Sequence, residues 1–146
     1  MKMKKTLLVA LAAIAFLVQG CKTDGCTDPN ALNFNADADN NDGSCTYEGR
    51  VVFWYNAQTS AELIDYLSAS LSFYVDGQIV GSTATTQYWN GAPNCGDNAS
   101  ITATENLGGV TSRALEYQVI DDWNEVIWEG VVNFEANTCT TLELTW

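Results

Sequence analysis

The chain of 146 residues contains no histidine. That absence removes Ser-His-Asp and Cys-His nucleophile arrangements and the commonest transition-metal ligand. Basic side chains are scarce as well: 6 Lys and Arg stand against 18 Asp and Glu, a formal net charge of −12. Lys2, Lys4 and Lys5 crowd the first five positions, so only Lys22, Arg50 and Arg113 follow residue 20, giving about −15 beyond that point at neutral pH. Such a surface repels phosphate backbones, which argues against nucleic acid as a partner, and it favours solubility and attraction to cations. There is no G-x-S-x-G and no phosphate-binding Gly-rich loop. Paired carboxylates could be drawn from Glu116, Asp121, Asp122, Glu125 and Glu129, but these alternate outward on expected strands or sit in a turn, which reads as a solvated face. The inventory points away from an enzyme.

Long apolar runs are also missing. The longest, Leu7 to Val18, has 12 residues, short of the roughly 20 that cross a bilayer as a helix. Behind the basic MKMKK start and ahead of a small residue it reads as a cleaved export signal, residues 1–20. Leu17-Val18-Gln19-Gly20-Cys21 resembles the lipobox of bacterial lipoproteins. The resemblance implies that Cys21 becomes the mature N-terminus, carries diacylglycerol, and attaches the chain to a membrane through two or three acyl chains. Removing 20 residues from 146 leaves 126, enough for one domain with a short preface.

Five cysteines are an odd total for an exported chain: Cys21, Cys26, Cys45, Cys95 and Cys139. With Cys21 given to lipid, four remain, and proximity and composition favour pairing Cys26 with Cys45 and Cys95 with Cys139. Residues 21–25 then form a lipidated tether, 26–46 a disulfide-closed Asx-rich spacer, and 47–146 the main domain, which holds all five Trp.

Period two dominates that domain. Val51, Phe53 and Tyr55 form one alternating set, followed by Leu71, Phe73 and Val75; Leu115, Tyr117 and Val119; and Val126, Trp128, Val132 and Phe134. Asp76-Gly77 lies between two such runs as a hairpin signal, since both residues tolerate positive φ. Ala61 to Leu67 has helical spacing behind Ser60 as N-cap. Leu142, Leu144 and Trp146 read as a last strand ending on an inward aromatic. The expected fold is all-β, an antiparallel β-sandwich of immunoglobulin or transthyretin type.

Tyr88 and Trp89 before a loop, with Trp123 in the DDWN turn, are the candidate ligand-binding residues, because exposed rings stack on sugars or enter a partner's pocket. Covering the ends of the core is the alternative use for them. In the spacer, Asp28, Asp37, Asp39 and Asp42 supply oxygen suited to calcium. The register is not that of an EF-hand: counting Asp37 as the first position puts Gly43 at the seventh and no Glu at the twelfth. Calcium ligation and local turn building are both open for these residues. No cofactor is required, calcium being the one candidate.

Cys26-Thr27-Asp28-Pro29, Ala31, Asn33-Phe34-Asn35, Ala38 and Asp42-Gly43-Ser44-Cys45 resemble a short Asp-rich repeat of Bacteroidota surface proteins, loosely like thrombospondin type 3 repeats. Phe34, Ala36 and Asn41 depart from its pattern. The repeat implies a stalk or spacer. VVFW at Val51, YVDGQIVG at Tyr74, WEGVV at Trp128 and CTTLEL at Cys139 are similar, more weakly, to small lipoprotein β-sandwiches of the same bacteria. Lys22-Thr23-Asp24 resembles the signals that send such lipoproteins to the surface. Together these imply a lipid-anchored outer-membrane protein displayed on the cell surface, a non-catalytic binding or structural module whose partner is a glycan or a protein.

Overall fold

The computed structural model describes residues 22–146. The expected signal peptide, residues 1–20, and the expected lipidation site, Cys21, lie outside them. Among the described residues no helix is long and apolar enough to cross a membrane.

Among the described residues, nine strands and one helix follow in the order β1 (Asp24–Gly25), β2 (Asn40–Asn41), β3 (Tyr47–Trp54), α1 (Ala57–Asp65), β4 (Ser70–Val75), β5 (Gln78–Ala84), β6 (Ile101–Gly108), β7 (Ser112–Asp121), β8 (Val126–Glu135) and β9 (Cys139–Glu143). A three-stranded sheet, β6-β3-β9, packs on a four-stranded one, β5-β4-β7-β8, as a sandwich. Asp76 and Gly77 both take positive φ, 46° and 72°, so the β4–β5 hairpin closes in the geometry that matches strand twist. β1 and β2 form a separate short parallel pair, while within the two sandwich sheets pairing is antiparallel except where β9 lies parallel to β3, from Arg50↔Cys139 to Trp54↔Glu143. The chain reaches that position because the residues after β8 step across to the other sheet and restart at the same end as β3.

Alternation explains the core. Val51 and Phe53 from β3 meet Leu71, Phe73 and Val75 from β4, Val119 from β7, and Val132 and Phe134 from β8, all nearly inaccessible to solvent. The Phe53 ring lies 5.7 Å from Phe73 and 5.5 Å from Tyr117. Tyr117 in turn needs Gly130 opposite it, where an added Cβ would come within 3.0 Å of the ring. Val52 points to the other face of its sheet and is also fully buried. The Cys95–Cys139 bond joins the 85–100 loop to that same face, because Cys139 pairs beside Arg50, two residues before Val52.

Two expectations change. α1 begins at Ala57, not Ala61, because the Asn56 side chain accepts from the Thr59 N–H and caps the helix a turn earlier than Ser60 would. Ser60 instead faces inward, donating to the Thr85 carbonyl at 2.7 Å. The last strand ends at Glu143, and Trp146 is 53% exposed, lying over Tyr66 and Trp128 and not in the core.

The Cys26–Cys45 bond closes the Asx-rich segment, and Cys26, Ala31, Cys45 and Tyr47 belong to the same buried cluster as the sandwich core. Backbone bonds from Leu32 N to Thr46 O and from Asn35 N to Cys26 O fold it into a tight cap. It sits where β3 begins, beside Thr111, Ser112 and Glu135. The sandwich thus has a proximal end, carrying this cap and the N-terminal tether, and a distal end reached by β3 after eight residues, roughly 26 Å away at strand rise.

Candidate binding surface

Asx residues of the cap bond to their own loop. Asp28 accepts from Asn30 N at 2.9 Å and from the Tyr47 hydroxyl at 2.7 Å, and Asp42 accepts from Ser44 N at 2.9 Å. Asn35 accepts from Asp37 N, Asn41 from Gly43 N, and Asp39 lies at 3.5 Å from Thr23 N. Each is a local turn or brace that satisfies backbone donors in a segment too short for regular structure. These bonds, to Asn30 N first and then Tyr47, hold the Asp28 carboxyl below its ordinary value of 3.8, and the bonds from Ser44 do the same for Asp42. Asp28, Asp37, Asp39 and Asp42 occupy separate turns, and among the described residues no group of three or more His, Cys, Asp or Glu side chains is arranged to hold a metal ion.

The DDWN turn is built differently from a solvated loop. Asp121 is 6% exposed, and its carboxylate accepts from Ser68 Oγ at 2.9 Å, Trp123 N at 3.0 Å and Glu125 N at 2.8 Å. Asp122 accepts from Ala69 N and Ser70 N at the start of β4, and the Ala69 bond lowers its pKa. Both aspartates therefore tie the β7–β8 turn to the end of α1. This corrects the reading of Asp121 as a solvated turn residue; Asp122 remains exposed, as expected, while it accepts from the Ala69 and Ser70 N–H groups.

That tie shapes what lies above it. α1 ends in a Schellman motif, with Ser68 N donating to Leu63 O and Leu67 N to Ile64 O. The position that glycine usually fills is Leu67, at φ 68° and 74% exposed. A left-handed conformation at a non-glycine residue costs about 1–2 kcal/mol, so this leucine is held outward against a local preference. The Trp123 indole N–H donates to the Leu67 carbonyl at 3.1 Å, and Trp123 is 67% exposed. Next to it the Tyr66 hydroxyl donates to Glu125 Oε2 at 2.7 Å, a bond that raises the Tyr66 pKa. Tyr66, Leu67, Trp123 and Glu125 line an open hollow of about 260 Å³.

The row continues through the chain end. Trp146 lies 5.2 Å from Tyr66 and edge-on to Trp128 at 6.4 Å, and Trp128 stacks at 6.4 Å on Tyr55. The terminal segment is anchored by Trp128 Nε1 to Thr145 O at 2.9 Å and by Leu144 N to Trp54 O. The result is an aromatic ledge at the distal end, made of Trp123, Leu67, Tyr66 and Trp146.

Of the ligand-binding candidates Tyr88, Trp89 and Trp123, only Trp123 is on this ledge. Trp89, half-buried, lines a separate hollow of about 400 Å³ with Trp54 and the first turn of α1, and its backbone N–H donates to Tyr55 O. Tyr88 is 43% exposed in the same loop. Trp89 and Trp123 thus flank opposite ends of α1 and share no surface hollow. Tyr66 and Leu67 were not anticipated as surface groups, and Trp146 was expected in the core. The available signal was negative: the helical pattern running into Tyr66-Leu67-Ser68 has no glycine to stop it. No family model, curated protein or solved structure matches the chain.

Proposed function

We propose that this chain is a lipid-anchored protein of the outer membrane, displayed on the cell surface, that binds a partner through the distal ledge and catalyses no reaction. The single observation that carries the reading is the placing of exposed aromatic side chains, one of them braced by a strained and outward leucine, at the end of the sandwich farthest from the tether. Exposed clusters of large apolar groups on soluble domains mark interaction sites. A cap bonded tightly to the proximal end suits the role of a rigid mount, keeping the ledge away from the membrane. Glycan binding is the second reading, favoured by flat ring faces beside the Glu125 carboxylate, which offers a hydrogen-bond acceptor for sugar hydroxyls.

The test has two parts. Cys21→Ala should release the protein from membranes without unfolding it, and full retention would overturn the anchor. Protease added to intact cells should remove the anchored protein, and complete protection would overturn surface display.

A further inference from the structure

Charge at the distal end has one sign. Glu62 and Asp65 on α1, Asp121, Asp122 and Glu125 around the β7–β8 turn, and Glu143 at the end of β9 all lie there. The basic residues of the described chain are elsewhere: Lys22 is in the tether, and Arg50 and Arg113 are on the proximal halves of β3 and β7. α1 has no basic side chain in its last turn, so the partial negative charge of the helix C-terminus, at most about half an elementary charge, faces Tyr66 and Leu67 with no cation beside it. The ring faces of Trp123, Trp146 and Tyr66 add their negative quadrupoles in the same place.

Carboxylates, helix end and aromatic faces all favour a positive charge on the ledge. A second copy of this chain would bring the same negative charge into contact, and an anionic lipid surface would be repelled likewise. We infer that the ledge takes an arginine-bearing segment of a partner protein, with a guanidinium lying flat on an exposed indole and paired to Glu125, and an aliphatic side chain against Leu67. The inference rests on the binding-module reading above and names its ligand class. Arginine suits the surface better than lysine because its planar group both stacks on a ring and forms forked bonds to a carboxylate.

The test is a titration of the full-length protein in detergent, observing the five indole N–H resonances by NMR. The probes are the peptide acetyl-Arg-Gly-Arg-amide and its neutral citrulline counterpart. The arginine peptide should shift the Trp123 and Trp146 signals saturably, leave Trp54 and Trp89 in place, and bind about tenfold more tightly than the citrulline peptide, a preference that added salt should erode. Trp123→Ala and Trp146→Ala should each weaken the response of the remaining signal. Equal binding of both peptides overturns the inference. If cellohexaose moves the same two signals and the arginine peptide does not, the ledge is a glycan site: the binding reading stands and the cationic one falls. Silence toward all three probes removes both.

Discussion

Asp121 carries the most consequential single test of the distal architecture. Its carboxylate joins three donors from two elements, and one of them, Ser68 Oγ, is itself buried with Ser68 only 2% exposed. Asp121→Ala leaves that hydroxyl without its acceptor, at about 1–3 kcal/mol, and loses two charge-assisted bonds to backbone N–H groups that water can partly replace. A destabilisation of about 3–4 kcal/mol follows, or a fall in melting temperature of roughly 10–15 °C for a domain of this size. Asp121→Asn keeps the Oδ1 acceptor for Trp123 and Glu125 and can place its amide toward Ser68, so it should cost only about 1 kcal/mol. Thermal unfolding followed by circular dichroism measures both. If Asp121→Ala melts within about 2 °C of the natural protein, the turn is solvated and the reasoning fails.

Leu67→Gly should raise stability by about 0.5–1 kcal/mol, since relief of left-handed strain exceeds the added freedom of glycine in the unfolded chain, while partner binding falls; a lower melting temperature would show that the leucine's own contacts dominate. Replacing Cys95 and Cys139 together by Ala opens a link across 44 residues and should cost about 4 kcal/mol on the chain-entropy estimate, against about 3 for the 19-residue Cys26–Cys45 link, with chemical denaturation as the measure. Asp28, Asp42 and Asp122 have depressed folded pKa values, so their stabilisation is present above about 3.8 and is lost as pH falls through the lower folded values. Unfolding free energy should therefore drop on acidification below about pH 4, and Asp28→Asn should make that limb shallower; an unchanged limb would mean the Asp28 bonds are absent in solution.

Strand periodicity made the sandwich legible, because β4, β7 and β8 each turn their more buried side chains to one face and their more exposed ones to the other, while β3, lying between β6 and β9, also buries Val52 on its outer face. Asp76-Gly77 marked its hairpin through residues that accept positive φ. The disulfide partners could be read from proximity because each pair joins segments with no competing cysteine nearby. Tertiary contacts settled what local pattern could not. Ser60 and Asn56 are both good caps, and burial of Ser60 against Thr85 decided between them. Asp121 looks like any turn aspartate until Ser68, distant in sequence, is brought under it. Trp146 reads as an alternating core residue, yet the strand ends three residues earlier and its ring turns onto Trp128. The ledge was hidden for the same reason: it is assembled from a helix end, a turn and the chain terminus, each uninformative alone.

The central claim is that the distal ledge is where a partner binds. A photo-crosslinking amino acid placed at position 123 or 146 tests it in living cells, with position 131 as the control, since Val131 is 65% exposed on β8 away from the ledge. The account predicts discrete protein adducts from 123 and 146 and none from 131. Absence of adducts at both ledge positions, or the same adducts from 131, would contradict it.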